Sequence, residues 1–213
     1  MLELGLDLVG SVLCLGAHSD DIEIGCGGTL LKLAGRNPNV NVRWVVFSGR
    51  GSRAREARSA ARTFLRGFKR SRVSVHSFHD GFFPSDWKSI KQRFERLKAT
   101  FEPDLILTHY RDDRHQDHRV LSDLTWNTFR RHLILEYEIP KYDGDFGSPN
   151  VFVRLDPETC RTKANLARRF FRSQADKHWF TPDIFMGLMR LRGMECASPT
   201  GYAEAFYCRK LVL

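Results

Sequence analysis

Residues 12–23, VLCLGAHSDDIE, join a short apolar run, Val12–Gly16, directly to a cluster of acids around one histidine, His18-Ser19-Asp20-Asp21-Ile22-Glu23. The run is apolar on both sides of its two-residue period, as a strand covered on both faces must be. The same join recurs at residues 105–118, where LILTH leads into YRDDRHQDH. Two buried strands that each end in a polar cluster describe an open parallel sheet with its chemistry at the carboxyl ends of the strands.

Helical patterns fill the intervals. Gly27-Gly28-Thr29 opens a helix through Leu30, Leu31, Leu33 and Ala34 that stops at Gly35. Val40–Phe47 reads as the next strand, an arginine-rich helix runs to about Phe68, and Val73–Phe78 alternates as a strand. Ser85 caps a helix carrying Trp87, Ile90, Phe94, Leu97 and Phe101, which Pro103-Asp104 breaks before the strand Leu105–His109. A helix from Asp117 to Phe129 and a strand Leu133–Ile139 follow. This alternation predicts an α/β fold, a Rossmann-like three-layer domain with a mostly parallel sheet.

Pro140–Asn150, rich in glycine and proline, separates that core from the remainder. Beyond it lie a strand Val151–Val153, a helix capped by Asp156 with Pro157 at its first position, a helix Pro182–Gly193 and a closing strand Tyr202–Cys208. Trp179, Phe180 and Phe185 read as packing for this C-terminal part. Neither a repeat nor a linker divides the chain, so the expectation is one domain over 1–213, with 140–213 as its C-terminal extension.

Composition removes several classes of function. With 42% hydrophobic and 28% charged residues in 213, the chain is globular and large enough to fold without a structural metal. No apolar run approaches the ~20 residues of a membrane span, and residues 1–10 lack the basic start of a secretory signal. Five scattered cysteines without a CxxC pair fit thiols in a reducing compartment, which makes the cytoplasm the expected location. The formal charge is +9, much of it between Arg50 and Arg72. There Arg55, Arg58, Arg62, Arg66 and Lys69 face away from Ala57, Ala61, Phe64 and Phe68, the pattern of a solvated helix face. No RNP motif, GXXG loop or zinc finger accompanies it, so nucleic acid is not an expected partner, whereas a phosphate-bearing small molecule is favoured.

The two polar clusters carry the chemistry. Each contains a pair three residues apart, His18 with Asp21 and His115 with His118. Adjacent carboxylates such as Asp20 and Asp21 repel, and a dication makes their density sensible. His18, Asp21 and His118 form a two-imidazole, one-carboxylate ligand set that leaves positions open, with Asp20 and His115 beside it as acid/base candidates. The same ligand types serve non-haem Fe(II) oxygenases, so composition does not choose the metal. Gly25, Gly27 and Gly28 lack the spacing and the lysine of a phosphate loop. His76 and His79 read as polar surface, and Glu204 on the closing strand is the weakest site candidate.

AHSDDIEIGCGGT at 17–29 resembles the AHPDDE-type first motif of the LmbE-like (PIG-L) family of zinc-dependent sugar N-deacetylases, and HQDH at 115–118 resembles its HxDH second motif. Arg53-Ala54-Arg55-Glu56 with Ala60-Ala61 is similar to the family's RxxE…AA helix, and Asp80-Gly81 to its DG after the third strand. The resemblance implies zinc, held by His18, Asp21 and His118, with other divalent ions able to substitute. It implies that Asp20 is the general base toward water, that His115 steadies the oxyanion and protonates the leaving amine, that Asp117 orients His115, and that Arg53 contacts substrate. Two positions depart from the family pattern. Ser19 stands where proline is usual, and Asp113 stands where some members carry a lid tyrosine, with Tyr110 as the nearest substitute.

The resulting expectation is a hydrolase that removes an acetyl or other acyl group from an N-acylated amino sugar, such as an N-acetylglucosamine conjugate, by zinc-activated water. The small-molecule substrate is its principal partner, and self-association into a homo-oligomer is compatible with the sequence. The rivals are an amidase on a non-sugar amide, an Fe(II) oxygenase, and a basic RNA- or membrane-surface-binding protein with a vestigial metal site.

Overall fold

The computed structural model describes residues 5–6 and 8–212; part of the signal-peptide reading of residues 1–10 therefore lies outside the described residues. Seven strands form one sheet in the order β3-β2-β1-β4-β5-β7-β6. They are β1 Ser11–Gly16, β2 Asn41–Val46, β3 Arg70–Val75, β4 Leu105–His109, β5 Leu133–Tyr137, β6 Val151–Leu155 and β7 Tyr202–Cys208. The helices are α1 Asp21–Arg36, α2 Gly51–Phe64, α3 Trp87–Thr100, α4 Gln116–Thr128, α5 Pro157–Phe170 and α6 Pro182–Glu195. β1 to β5 pair in parallel, while β7 runs antiparallel between β5 and β6. The expected α/β layering with a mostly parallel sheet is what the chain adopts.

The sheet is covered on both faces, which is why VLCLG and the first three residues of LILTH are apolar. One face packs Trp44, Phe64, Tyr137, Phe171 and Phe206 among the residues of α1, α2 and α5. The other packs Leu13, Leu15, Phe47, Phe94 and Leu121 under α3 and α4. The chain winds outward from β1 to β3 and then restarts on the other side at β4. The carboxyl ends of β1 and β4 therefore flank the point where strand order reverses, the place where open α/β sheets bind ligands. Both polar clusters issue from that point.

Several boundaries differ from the sequence reading. The first helix begins at Asp21 rather than at Gly27, and its backbone breaks at Cys26 (φ −143°, ψ 15°). The break frees the amides of Gly28 and Thr29, and the Glu204 carboxylate from β7 accepts them at 2.8 and 2.6 Å. Gly27-Gly28-Thr29 thus does open a helical segment, but one stacked behind a first turn that carries Asp21. A Cβ on Gly25 would fall 2.1 Å from the Tyr137 ring and one on Gly27 2.7 Å from Phe64, so these glycines serve close packing. α2 ends at Phe64 instead of Phe68, and β3 starts three residues earlier than the alternation Val73–Phe78 suggests. Asp86, not Ser85, occupies the N-cap of α3. Asp156 caps α5 as expected, accepting the Thr159 amide at 2.8 Å. Phe180 and Phe185 are buried with Trp179 against them. Arg55, Arg58 and Arg62 are exposed along α2, opposite buried Ala57, Ala61 and Phe64.

Candidate active site

The loop between β1 and α1 is shaped by its own acids. The Asp21 carboxylate turns back to accept the His18 amide at 2.6 Å, and the Ser19 hydroxyl donates to the Ser48 carbonyl across the loop after β2. Ser19 thereby supplies a tether at the position where the resemblance leads one to expect proline. On the β4 side, His115 is the N-cap of α4, its Nδ1 accepting the Asp117 amide at 3.2 Å. That turn aims His118 back toward His18.

Donor atoms of three residues then approach one another. His18 Nδ1 lies 3.1 Å from His118 Nε2 and 3.5 Å from Asp21 Oδ2, and His118 Nε2 lies 3.7 Å from Asp21 Oδ1. Donors around one tetrahedral zinc ion at ~2.1 Å sit about 3.4 Å apart, and these separations, in which His18 meets one Asp21 oxygen and His118 the other, are close to that. Three overlapping trios each bring one donor atom within 4.8 Å of one another: His18, His115 and His118; Asp21, His109 and His118; and His18, Asp80 and Asp117. The other nitrogen of each imidazole is held by a carboxylate. Asp117 Oδ2 is 3.2 Å from His18 Nε2, and Asp113 Oδ2 is 2.9 Å from His118 Nδ1. Such partners fix the tautomer and raise the basicity of a metal-facing histidine.

The charges follow from this crowding. Burial works to lower the His18 pKa, yet Asp21, Asp117 and Asp80 around it outweigh burial and hold it well above the ordinary value. Burial and neighbouring His109 bring His118 down to about 3 against the pull of Asp21 and Asp113. Of the two facing nitrogens, that of His18 is therefore the more basic. Asp21 stays far below the usual carboxylate range because His118, His109 and His18 outweigh its burial. Its neighbour behaves oppositely. Burial and the Asp21 charge push Asp20 up to about 6, with Arg53 and His18 opposing. Arg53 reaches both acids of the rim, Asp20 at 3.7 Å and Asp80 at 2.6 Å.

His18, Asp20, Asp21, His115 and His118 are thus gathered, with Arg53 at the edge. Asp117 departs from its expected part. Its carboxylate receives the amides of Gly81 and Phe83 at 2.6 and 3.0 Å and faces His18, while only its backbone amide reaches His115. Asp113 is buried beneath His118, and Tyr110 stacks on Tyr207 with ring centroids 3.7 Å apart, so neither is free to act as a lid. Glu204 belongs to a buried ion pair with Lys163 at 2.6 Å, away from this cluster.

Sequence reasoning gave four residues of the site no role. Asp113 appeared there only as a missing tyrosine, and Asp80 only as part of a short motif. His109, read as the last residue of a strand and the first of the second polar cluster, is fully buried, stacks on His118 and sets Nε2 3.2 Å from Asp21 Oδ2. A histidine closing an otherwise apolar strand was the signal available for it. Lys141, 2.9 Å from Asp113, lies in the stretch 140–150 that reads as a connector and was given no role.

Residues 13–129 match the PIG-L family model, described as GlcNAc-PI de-N-acetylase. The chain is also similar to solved structures along nearly its whole length. N,N′-diacetylchitobiose deacetylase from Pyrococcus horikoshii is 20% identical, with a TM-score of 0.72 over 95% of this chain and 85% of that one. The A40926 pseudoaglycone deacetylase is 16% identical, with a TM-score of 0.72 over 93% and 96%. The 4-carboxy-2-hydroxymuconate hydratase from Pseudomonas putida is 16% identical, with a TM-score of 0.74 over 95% and 97%. At these identities the likeness is one of fold, shared by proteins named as deacetylases and by one named as a hydratase.

Proposed function

The chain belongs to the PIG-L family of deacetylases, and from that premise we propose that it is a zinc-dependent N-deacetylase acting on an N-acylated amino sugar or its conjugate. The observation that carries the reading is the triangle of His18 Nδ1, Asp21 and His118 Nε2, backed by Asp117 and Asp113 on the far nitrogens of the two imidazoles. In this reading those three side chains hold the zinc ion. The donor set fits it: the lone pairs of two histidines converge with an ionised carboxylate, a geometry that costs energy unless a cation or a shared proton lies between them. When bound, zinc supplies Lewis acidity, polarising an amide carbonyl and bringing the pKa of a water toward ~7.

The remaining work falls to the chain's own groups. Asp20 takes the proton from the attacking water, for which a pKa brought up to about 6 by burial is suited. His115 has its Nδ1 occupied by the Asp117 amide, so its proton sits on Nε2 in the neutral ring. That N–H donates to the developing oxyanion. Collapse of the tetrahedral species expels an amine, and the proton gained by Asp20 returns to it there or through His115. Arg53, anchored by Asp20 and Asp80 at the rim, offers its remaining donors to substrate oxygens.

The test is acetate release from N-acetylglucosamine and its phosphate-bearing conjugates by metal-free and zinc-restored protein. Acetate produced only after zinc is restored supports the reading. Zinc uptake without acetate from any N-acetyl sugar overturns the substrate class, and full activity in metal-free protein overturns the metal.

A further inference from the structure

The segment 140–150, which reads in sequence as a connector, is bound to the site at several points. Lys141 Nζ lies 2.9 Å from Asp113 Oδ2, the same oxygen that receives His118 Nδ1 at 2.9 Å. The other oxygen of Asp113 accepts the His115 amide at 2.8 Å. Lys141 also pairs with Asp145 at 2.5 Å, and Asp145 accepts the Arg114 amide at 2.7 Å. Further along, the Gly147 amide donates to the Tyr207 hydroxyl at 2.9 Å, and Arg192 donates to the Gly147 carbonyl at 3.3 Å. A Cβ at Gly147 would lie 2.9 Å from the Tyr207 hydroxyl and 3.0 Å from that of Tyr110, so only glycine lets the segment lie this close to the stacked rings.

We infer that Lys141 is a positioning residue: through Asp113 it orients His118 and His115, and it makes the 140–150 segment a fixed wall beside the site. The inference rests on the metal reading only in so far as His118 faces zinc. Its physical basis is the placing of Asp113. This carboxylate is 2% exposed, with one oxygen shared by His118 Nδ1 and Lys141 Nζ and the other taking the His115 amide. A buried carboxylate needs partners, and Lys141, whose side chain is 10% exposed, brings an ammonium to it. The same ammonium, held by Asp145, closes the segment onto residues 113 and 114. One side chain therefore couples the order of the wall to the order of the histidines.

The experiment compares wild type with Lys141→Met, Lys141→Arg and Asp145→Asn. Zinc affinity is read by competition with a chromophoric chelator, and amide hydrogen exchange is read on metal-free and zinc-loaded protein. Lys141→Met is expected to lower zinc affinity about 10- to 100-fold, the usual effect of losing an outer partner of a ligand. It should also speed exchange in both 140–150 and 110–118. Lys141→Arg should restore much of each. Asp145→Asn, which spares the contact with Asp113, should loosen the wall and reduce zinc affinity less. Faster exchange confined to 140–150 with unchanged zinc affinity overturns the inference and leaves Lys141 a staple. If wild type takes up no zinc, the metal reading falls instead, and exchange in metal-free protein still decides whether Lys141 couples the two segments. Should Lys141→Met fail to fold, Lys141→Gln, which removes the charge but keeps a polar side chain, carries the same comparison.

Discussion

His18 Nδ1 and His118 Nε2, one hundred residues apart in sequence, face each other across 3.1 Å. Two imidazoles can meet this closely only by sharing a proton or a cation. In the metal-free protein Asp21, Asp117 and Asp80 raise the His18 pKa against its burial, which favours the proton on His18. A metal ion must displace that proton. Zinc uptake is therefore expected to release a proton at neutral pH and to weaken as pH falls, because below the raised pKa protons compete for His18. Titration calorimetry in buffers of different ionisation enthalpy measures it. Because apolar clusters cover both faces of the sheet, the metal-free protein should keep its far-UV circular dichroism. Zinc uptake with no proton release removes the shared-proton account.

His115 and His118 share a motif but differ in environment. His118 is buried, with both ring nitrogens committed to Asp113 and the His18–Asp21 pair, whereas His115 spends Nδ1 on the amide of Asp117. His118→Ala should lose zinc. His115→Ala should retain zinc and lower kcat by roughly 10²-fold or more, the usual result of removing one oxyanion donor. Metal analysis beside initial rates separates them, and equal loss of zinc in both variants overturns the assignment.

The parts legible in the sequence were those whose cause is local. VLCLG and LILTH read as buried strands because their apolar residues fall on both sides of the two-residue period, and Asp156-Pro157 starts a helix by its own chemistry. The parts that were not legible depend on distant residues. Asp21 begins α1 within a stretch so polar that it reads as loop, and the break at Cys26 is satisfied by Glu204, some 175 residues away. β3 is an edge strand whose first residues, Arg70 to Arg72, are exposed, so its start carries no apolar signal. At the site, the gathering of His18, Asp21 and His118 was readable from spacing at two strand ends. The partner of each was not. Asp117 stands next to His118 in sequence yet faces His18, and the acid that holds His118 is Asp113, five residues back.

Glu204 offers a stability test away from the chemistry. It accepts the amides of Gly28 and Thr29, the Thr29 hydroxyl and the Lys163 ammonium, all within 2.8 Å, and both charged side chains are buried. Glu204→Gln keeps acceptors for the amides but leaves Lys163 unpaired, which should cost about 3–5 kcal/mol. Adding Lys163→Met to that variant should recover part of the loss. Urea denaturation gives both values, and a double variant no more stable than Glu204→Gln shows that the ion pair is not what the break in α1 relies on.

Arg53 and Arg62 lie on the same helix with different surroundings. Arg53 is anchored at the rim by Asp20 and Asp80, while Arg62 is exposed and far along α2. Arg53→Ala should chiefly raise KM, and Arg62→Ala should leave both constants near wild type. Comparable losses in both would mean that the basic face of α2 binds substrate.

Asp20 and Asp21 are adjacent in sequence yet titrate in opposite directions. The histidines around Asp21 keep it ionised against burial, whereas burial and the charge of Asp21 push Asp20 up to about 6. A general base works only when ionised, so kcat/KM should climb with rising pH as Asp20 loses its proton. Zinc adds positive charge nearby and should set that acidic limb at or below about 6 in the loaded enzyme. Arg53, at 3.7 Å, also draws the Asp20 pKa down, so Arg53→Ala should move the limb to higher pH. Asp20→Asn retains the shape but cannot accept the proton. It should keep full zinc occupancy and lose on the order of 10²–10⁴-fold in kcat, with the acidic limb gone. Asp21→Asn, by contrast, should weaken zinc binding itself. The measurements are kcat/KM across pH 4 to 9 (a range spanning ~2 units below to ~3 units above the limb) and zinc per chain for each variant. An Asp20→Asn enzyme with wild-type kcat and an unchanged limb would show that another group takes the proton.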